Sequence, residues 1–273
     1  MNKLNLIQRI ISSILILPSV LLVVYLGGIF YSLLLIFSSA LVFYELSKIN
    51  NLINIKRGFV VYLMLLIFCI YSIQFYDYML AILICGVVVI LMLLYRLIRN
   101  EKYWLEFNLI YSIIPILILY EVRNYNNSSD GLALTILIIS TAVISDIAGY
   151  SGGMLLGSKK IFPTLSPNKT LEGTFFALIV PTILVTFAYI HLEDIYNYVF
   201  LTMLVFAMSV ASVGGDLFIS GIKRKFKLKD TGSLIPGHGG FLDRADSIIG
   251  STLIFLMVTY TYGILGINLT SYL

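Results

Sequence analysis

The chain has 273 residues, 59% of them hydrophobic and 12% charged, with a formal net charge of +4 and a mean hydropathy of +0.98. That much apolar surface excludes a water-soluble enzyme and predicts an integral membrane protein. Its cysteines, Cys69 and Cys85, share no short spacing and offer no disulfide or zinc framework.

About nine apolar segments approach the roughly 20 residues needed to cross the hydrocarbon. They fall at 8–27, 29–46, 58–75, 78–97, 107–122, 131–156, 173–192, 197–219 and 248–270, and the fifth has the shortest apolar core. The expected fold is all-α: a single polytopic domain over 1–273 with about nine transmembrane helices. Lys3 and Arg9 before the first run resemble a signal peptide, but no small-x-small site follows, so a retained first helix is expected. Pro18, Pro115 and Pro181 fall within spans and are expected to kink them.

The basic residues set the orientation. With the N-terminus cytoplasmic, successive inner loops carry Lys48, Lys56 and Arg57, then Arg96, Arg99 and Lys102, then Lys159, Lys160 and Lys169. The last carries Lys223, Arg224, Lys225, Lys227, Lys229 and Arg244, so only Arg123 of the 18 Lys and Arg lies outside. This satisfies the positive-inside rule and supports both the nine-span count and a cytoplasmic charged loop. A basic inner face suits anionic lipid or nucleotide, not nucleic acid.

Residues 1–120 carry almost no ionisable group inside their spans and read as scaffold. The unusual chemistry lies at 140–250, on the expected cytoplasmic face. Asp146 sits within the sixth span, where a carboxylate costs roughly 2.5–3.5 kcal/mol on insertion scales. It should face a polar cavity or a partner; the alternative is a structural hydrogen bond between helices. Gly149, Gly153 and Gly157 form a small-residue stripe suited to close helix packing. Lys159 and Lys160 can serve as topology determinants alone. Ser166-Pro167-Asn168-Lys169-Thr170 reads as a turn before a helix N-terminus, with hydroxyls, an ammonium and backbone N–H groups suited to a phosphate. Glu172 falls in the first turn and can be a cap.

Gly214-Gly215-Asp216 ends the eighth span, where two glycines leave room for a ligand beside a carboxylate. Asp243 and Asp246 share one face if a ninth helix begins there, with Ser247 next to them. Asp216, Asp243 and Asp246 can converge on a hard cation such as magnesium; the alternative is capping by Asp243 and ion pairing with Arg244. The loop between them holds five basic residues, Asp230, and His238 with glycine on both sides, backbone that can wrap a ligand closely. His191, beside Glu193 and Asp194, reads as an incidental interfacial residue.

These residues resemble the signature of the phosphatidate cytidylyltransferase (CDP-diacylglycerol synthase) family. The match runs Ser220-x-Ile222-Lys223-Arg224, Lys229-Asp230-x-Gly232, then Ile235-Pro236-x-His238-Gly239-Gly240-Phe241-x-Asp243-Arg244-x-Asp246. The segments around Asp146 and Ser166–Gly173 resemble two further blocks, with Leu171 and Ala245 departing from the usual residues. The resemblance implies a multi-span, commonly dimeric protein that joins CTP to phosphatidate, releasing pyrophosphate, with magnesium and room for a monovalent cation beside it. It implies metal ligation by Asp216, Asp243 and Asp246, and catalytic roles for these with Lys229 and His238. It also implies that substrates meet Asp146, Ser166, Lys169, Glu172, Ser220, Lys223, Arg224, Asp230, Gly239, Gly240 and Arg244. A secondary transporter would put its polar groups at the midplane in broken helices. A CTP-using lipid kinase would need a base for its acceptor hydroxyl. A CDP-alcohol phosphotransferase would need a motif that Asp130-Gly131-Leu132-Ala133-Leu134 lacks.

Overall fold

The computed structural model describes residues 18–50, 55–75, 78–98, 103–125, 129–192, 197–232, 234 and 239–264. Lys3, Arg9, Arg99, Lys102 and His238 lie outside them, as does the start of the first expected span. Residues 18–26 are helical and are called α1. Then come α2 (Gly28–Ile49), α3 (Ile55–Phe75), α4 (Tyr78–Ile98), α5 (Trp104–Asn124) and α6 (Ser129–Leu156). A hairpin of β1 (Lys160–Phe162) and β2 (Ser166–Thr170) precedes α7 (Leu171–Leu192), α8 (Tyr198–Lys225) and α9 (Leu242–Ile264). Among the described residues, α2, α5, α6, α7 and α8 are long and apolar enough to cross a membrane.

The reason is solvation. In hydrocarbon every backbone polar group needs an internal partner, and a helix supplies one within the segment. Ile29, Leu33 and Phe37, spaced four apart on α2, are exposed, while Tyr31, Leu35, Val42 and Leu46 are buried. An apolar stripe turned outward would be a liability in water and is the natural surface toward lipid. This is a helical integral membrane protein.

The chain divides into two compact units, Met1–Leu132 with Asp230–Asp243, and Ala133–Lys229 with Arg244–Leu273. In the first, α2 packs chiefly on α5, and α3 on α4. Their core gathers Phe43, Tyr62, Leu66, Cys69, Leu109 and Ile113, with the Phe43 and Tyr62 rings stacked at 4.7 Å. Because lipid is as apolar as leucine, polar contacts hold such helices together. The Tyr62 hydroxyl donates to Ser39 Oγ at 2.8 Å, and Ser39 Oγ donates to the Ser112 carbonyl at 2.8 Å. Asn50 Nδ2 donates to Asn108 Oδ1 at 2.8 Å, and Asn108 Nδ2 to Ser47 Oγ at 3.2 Å.

Arg123, the one basic residue expected outside, is buried. Its Nε donates to the Val24 carbonyl at 2.8 Å and its Nη2 to the Tyr25 carbonyl at 3.1 Å. Those carbonyls end α1, and an arginine there completes the last turn. Gly27 turns the chain into α2 at φ 64°, and a Cβ on it would meet Arg123 Nη2 at 2.8 Å.

In the second unit α7 packs against α8. Gly149 lies where a Cβ would touch the Ala177 Cβ at 3.1 Å, and Gly153 where it would touch Thr170 Oγ1 at 3.1 Å. The small stripe thus lets α6 approach α7, and Ser145 Oγ locks the pair by donating to the Ala177 carbonyl at 2.8 Å. On the other side Ser251 Oγ of α9 donates to the Met208 carbonyl of α8 at 3.0 Å.

The turn expected at Ser166–Thr170 is a strand. It pairs antiparallel with β1, Lys160 opposite Thr170 and Phe162 opposite Ser166. Pro167 fits because a two-stranded hairpin is all edge. Thr170 then caps α7, its Oγ1 accepting from Gly173 N at 3.1 Å.

Arg123→Ala removes two charge-assisted bonds to buried carbonyls, expected to cost about 2–3 kcal/mol. The check is the thermal midpoint in detergent, which should fall by several degrees; an unchanged midpoint would contradict the capping role.

Candidate active site

The second unit gathers charged side chains from α6, α8, α9 and the segment before α7. Lys169, the residue before Thr170, reaches Asp216 of α8, Nζ to Oδ2 at 2.7 Å. The same ammonium lies 3.5 Å from the Val213 carbonyl. Ser220, one turn on, donates to Asp216 Oδ1 at 3.4 Å. Asp216 is therefore held on both oxygens while still partly exposed.

Asp246 is its buried counterpart, only 2% exposed. One oxygen accepts from the Ser247 backbone N–H at 2.8 Å. The other, Oδ2, has no hydrogen-bond partner among the described residues, and neither does the buried Ser212 Oγ. The charges acting on Asp246 are those of Asp216, Asp146 and Lys223. A buried carboxylate oxygen without a donor is costly and calls for a cation. Ser247 Oγ donates to Asp146 Oδ1 at 2.9 Å, tying α9 to α6. The structural hydrogen bond considered for Asp146 thus exists, yet the residue remains exposed on α6. Lys169 and Arg244 act electrostatically on it.

The adjacent glycines of α8 do different work. A Cβ on Gly215 would collide with the Asp246 carbonyl, whereas one on Gly214 would meet nothing within 4 Å. Gly215 lets α8 and α9 touch; Gly214 faces open space.

In the first unit the residues Asp230–Asp243 fold around two carboxylates. Asp243 Oδ2 accepts from Thr231 N at 3.0 Å, Thr231 Oγ1 at 3.0 Å and Gly240 N at 3.2 Å. Glu45 of α2 accepts from Phe241 N at 2.9 Å and, on its other oxygen, from Leu242 N and Thr231 Oγ1, both at 2.8 Å. A Cβ on Gly232 would meet Glu45 Oε1 at 2.7 Å, and one on Gly240 would meet Oε2 at 2.6 Å. Those two glycines are therefore required by the approach of the carboxylate. Gly239, at φ 87°, turns the chain toward Asp243. These bonds tie Asp243 to the loop before α9 and not to the N–H groups of the helix itself.

Other expected residues do not join these groups. Glu172 accepts from the backbone N–H of Ser158 at 3.0 Å and from its hydroxyl, closing α6 onto α7. Arg224 spends Nε on the Leu165 carbonyl and Nη1 on the Leu228 carbonyl, both at 3.1 Å. Ser166 pairs within the hairpin, and Lys229 and Asp230 are exposed. Glu45 was missed: a lone glutamate in an apolar span of the scaffold half carries no motif.

Among the described residues no three His, Cys, Asp or Glu side chains are gathered tightly enough to hold a metal by themselves. Magnesium does not need that, since one or two carboxylates suffice when waters and substrate phosphates complete the shell. The all-oxygen donor set of Asp216 and Asp246, with Oδ2 of Asp246 lacking a partner, fits such an ion.

The second unit of this helical membrane protein thus holds carboxylates, a lysine and hydroxyls in hydrogen-bonded groups. A sequence model of the cytidylyltransferase family matches residues 7–262, and the chain belongs to that family. It is 40% identical over 126 residues to a phosphatidate cytidylyltransferase of Staphylococcus epidermidis, covering 46% of this chain and 48% of the relative. Against the Bacillus subtilis protein of that name identity is 36% over 131 residues, 47% of each chain. Against that of Helicobacter pylori it is 37% over 124 residues, covering 45% of this chain and 46% of the relative. The chain thus spans about half the length of the curated relatives it matches.

Gly215→Ala should force α8 off α9 at about 1–3 kcal/mol, lowering the thermal midpoint in detergent, while Gly214→Ala should leave it unchanged. Equal midpoints would refute the packing assigned to Gly215.

Proposed function

We propose that this protein transfers a cytidylyl group from CTP to phosphatidate, forming CDP-diacylglycerol and releasing pyrophosphate. The observation that carries the proposal is the Lys169–Asp216 pair beside a buried Asp246 whose Oδ2 lacks a partner among the described residues. Family membership and the names of the relatives supply the substrate class.

The chemistry asks little of a base. A phosphomonoester with its second pKa near ~6 is mostly ionised at neutral pH. Its oxygen attacks the α-phosphorus of CTP, the new P–O bond forms as the bond to the β-phosphate oxygen breaks, and pyrophosphate leaves with that electron pair. The obstacle is bringing two polyanions together. Lys169 and Lys223 lower the local negative charge. Asp216 and Asp246 would hold magnesium, and Asp243 is assigned to it on the motif alone. When bound there, magnesium would neutralise phosphate charge and align the reacting groups. A monovalent cation beside it belongs to the same reading. Lys229, Arg224 and Arg244 would serve the phosphates or the lipid headgroup, and His238 with Gly239 and Gly240 the nucleotide.

The same reading places nine spans in a bacterial inner membrane, N-terminus and site cytoplasmic, in a homodimer. The segregation of basic residues along the sequence supports the orientation, and the dimer rests on the family resemblance alone. A transporter is disfavoured because α6, α8 and α9, which carry Asp146, Asp216 and Asp246, are continuous and not broken helices.

The test is purified protein given CTP labelled at the α-phosphate, phosphatidate and magnesium. Label should move to the lipid phase with one pyrophosphate per product. Asp216→Asn and Asp243→Asn should each lose at least about 100-fold in turnover, and Lys229→Ala should lose far more than Lys48→Ala. Full activity in both aspartate variants would remove the metal assignment, and no labelled lipid from the wild type would remove the function.

A further inference from the structure

Glu45 stands outside every motif of the reaction, yet it is the most enclosed carboxylate of the first unit that faces the signature loop. It is 1% exposed, and its bonds reach 186 to 197 residues along the chain. Both oxygens are used, and two loop glycines are shaped to its outline. It also caps the start of α9, since Phe241 and Leu242 carry N–H groups that no earlier helical turn can satisfy. Thr231 has one hydroxyl proton, and its Oγ1 stands 2.8 Å from Glu45 and 3.0 Å from Asp243. Glu45 and Asp243 therefore share a single organising hydroxyl.

We propose that Glu45 is a positioning residue for cytidylyl transfer: its carboxylate is the template on which Thr231, Gly240, Phe241 and Leu242 are folded. It thereby sets the placement of Asp243 and Gly239 without itself touching substrate. The inference rests on the function proposed above, in which this loop serves the nucleotide. Glutamine cannot replace it, because one of its two polar ends is an NH2 donor that would face backbone N–H groups. Aspartate is shorter by one methylene and cannot reach both amides.

The experiment compares wild type, Glu45→Gln and Thr231→Val in the same detergent, below their unfolding temperatures. Hydrogen exchange is read at the amides of Thr231, Phe241 and Leu242, together with steady-state kinetics for both substrates. In Glu45→Gln, protection at those amides should be lost while that of α5 and α8 is kept. Its kcat/KM for CTP should fall about 10- to 100-fold, the scale of a misplaced reacting group. The KM for phosphatidate should stay within about twofold, which a general loss of structure would not achieve. Thr231→Val should move in the same direction by less, and it decides the matter if Glu45→Gln does not fold. Lost protection with unchanged CTP kinetics, or both substrates affected alike, overturns the proposal. If the wild type turns over no CTP, the functional reading falls, and retained protection in Glu45→Gln would still show that Glu45 does not hold the loop.

Discussion

A carboxylate taken into an apolar helical protein must be matched by donors or by a cation, and much of this chain follows from how its few carboxylates are matched. Glu45 is satisfied by backbone N–H groups and a hydroxyl. Asp216 is satisfied by an ammonium. Asp246 is left with an oxygen that nothing among the described residues supplies. The first arrangement is that of a structural anchor, and the last is the one on which the proposed cation site rests. The difference lies in the count of donors around each group, because all three are acidic residues on helices of similar composition.

That distinction orders the remaining chemistry. Gly215, Gly232 and Gly240 are small because a helix or a carboxylate passes where a Cβ would stand. Ser247 and Ser220 are hydroxyls because Asp146 and Asp216 need donors that add no net charge. The basic residues divide in the same way. Lys169 engages a carboxylate of the site, whereas Arg224 fastens the hairpin to the end of α8 through carbonyls, and Arg123 finishes α1. A count of positive charge would treat them alike.

Much of the helical layout was legible in the sequence, because long apolar runs in a membrane protein have few alternatives. The run 78–97 became Tyr78–Ile98, and the weak-looking 107–122 became Trp104–Asn124, a helix apolar enough to span. Asp146, Lys169, Asp216 and Asp246 stood out because charge is conspicuous against so apolar a background, and the structure pairs Lys169 with Asp216. The hairpin did not, since Ser-Pro-Asn-Lys-Thr carries turn chemistry and its pairing partner is only three residues long. Glu45 did not, since its partners lie nearly two hundred residues away and no local pattern announces them. Long-range satisfaction of one buried group is the kind of information a motif does not carry.

We propose that Asp216 and Asp246 together hold a divalent cation when nucleotide is present. The direct measurement is binding of manganese, as a paramagnetic probe, to purified protein with CTP, compared among wild type, Asp216→Asn and Asp246→Asn. The account predicts saturable binding in the wild type and its loss in each variant. Undiminished binding in both variants would contradict it.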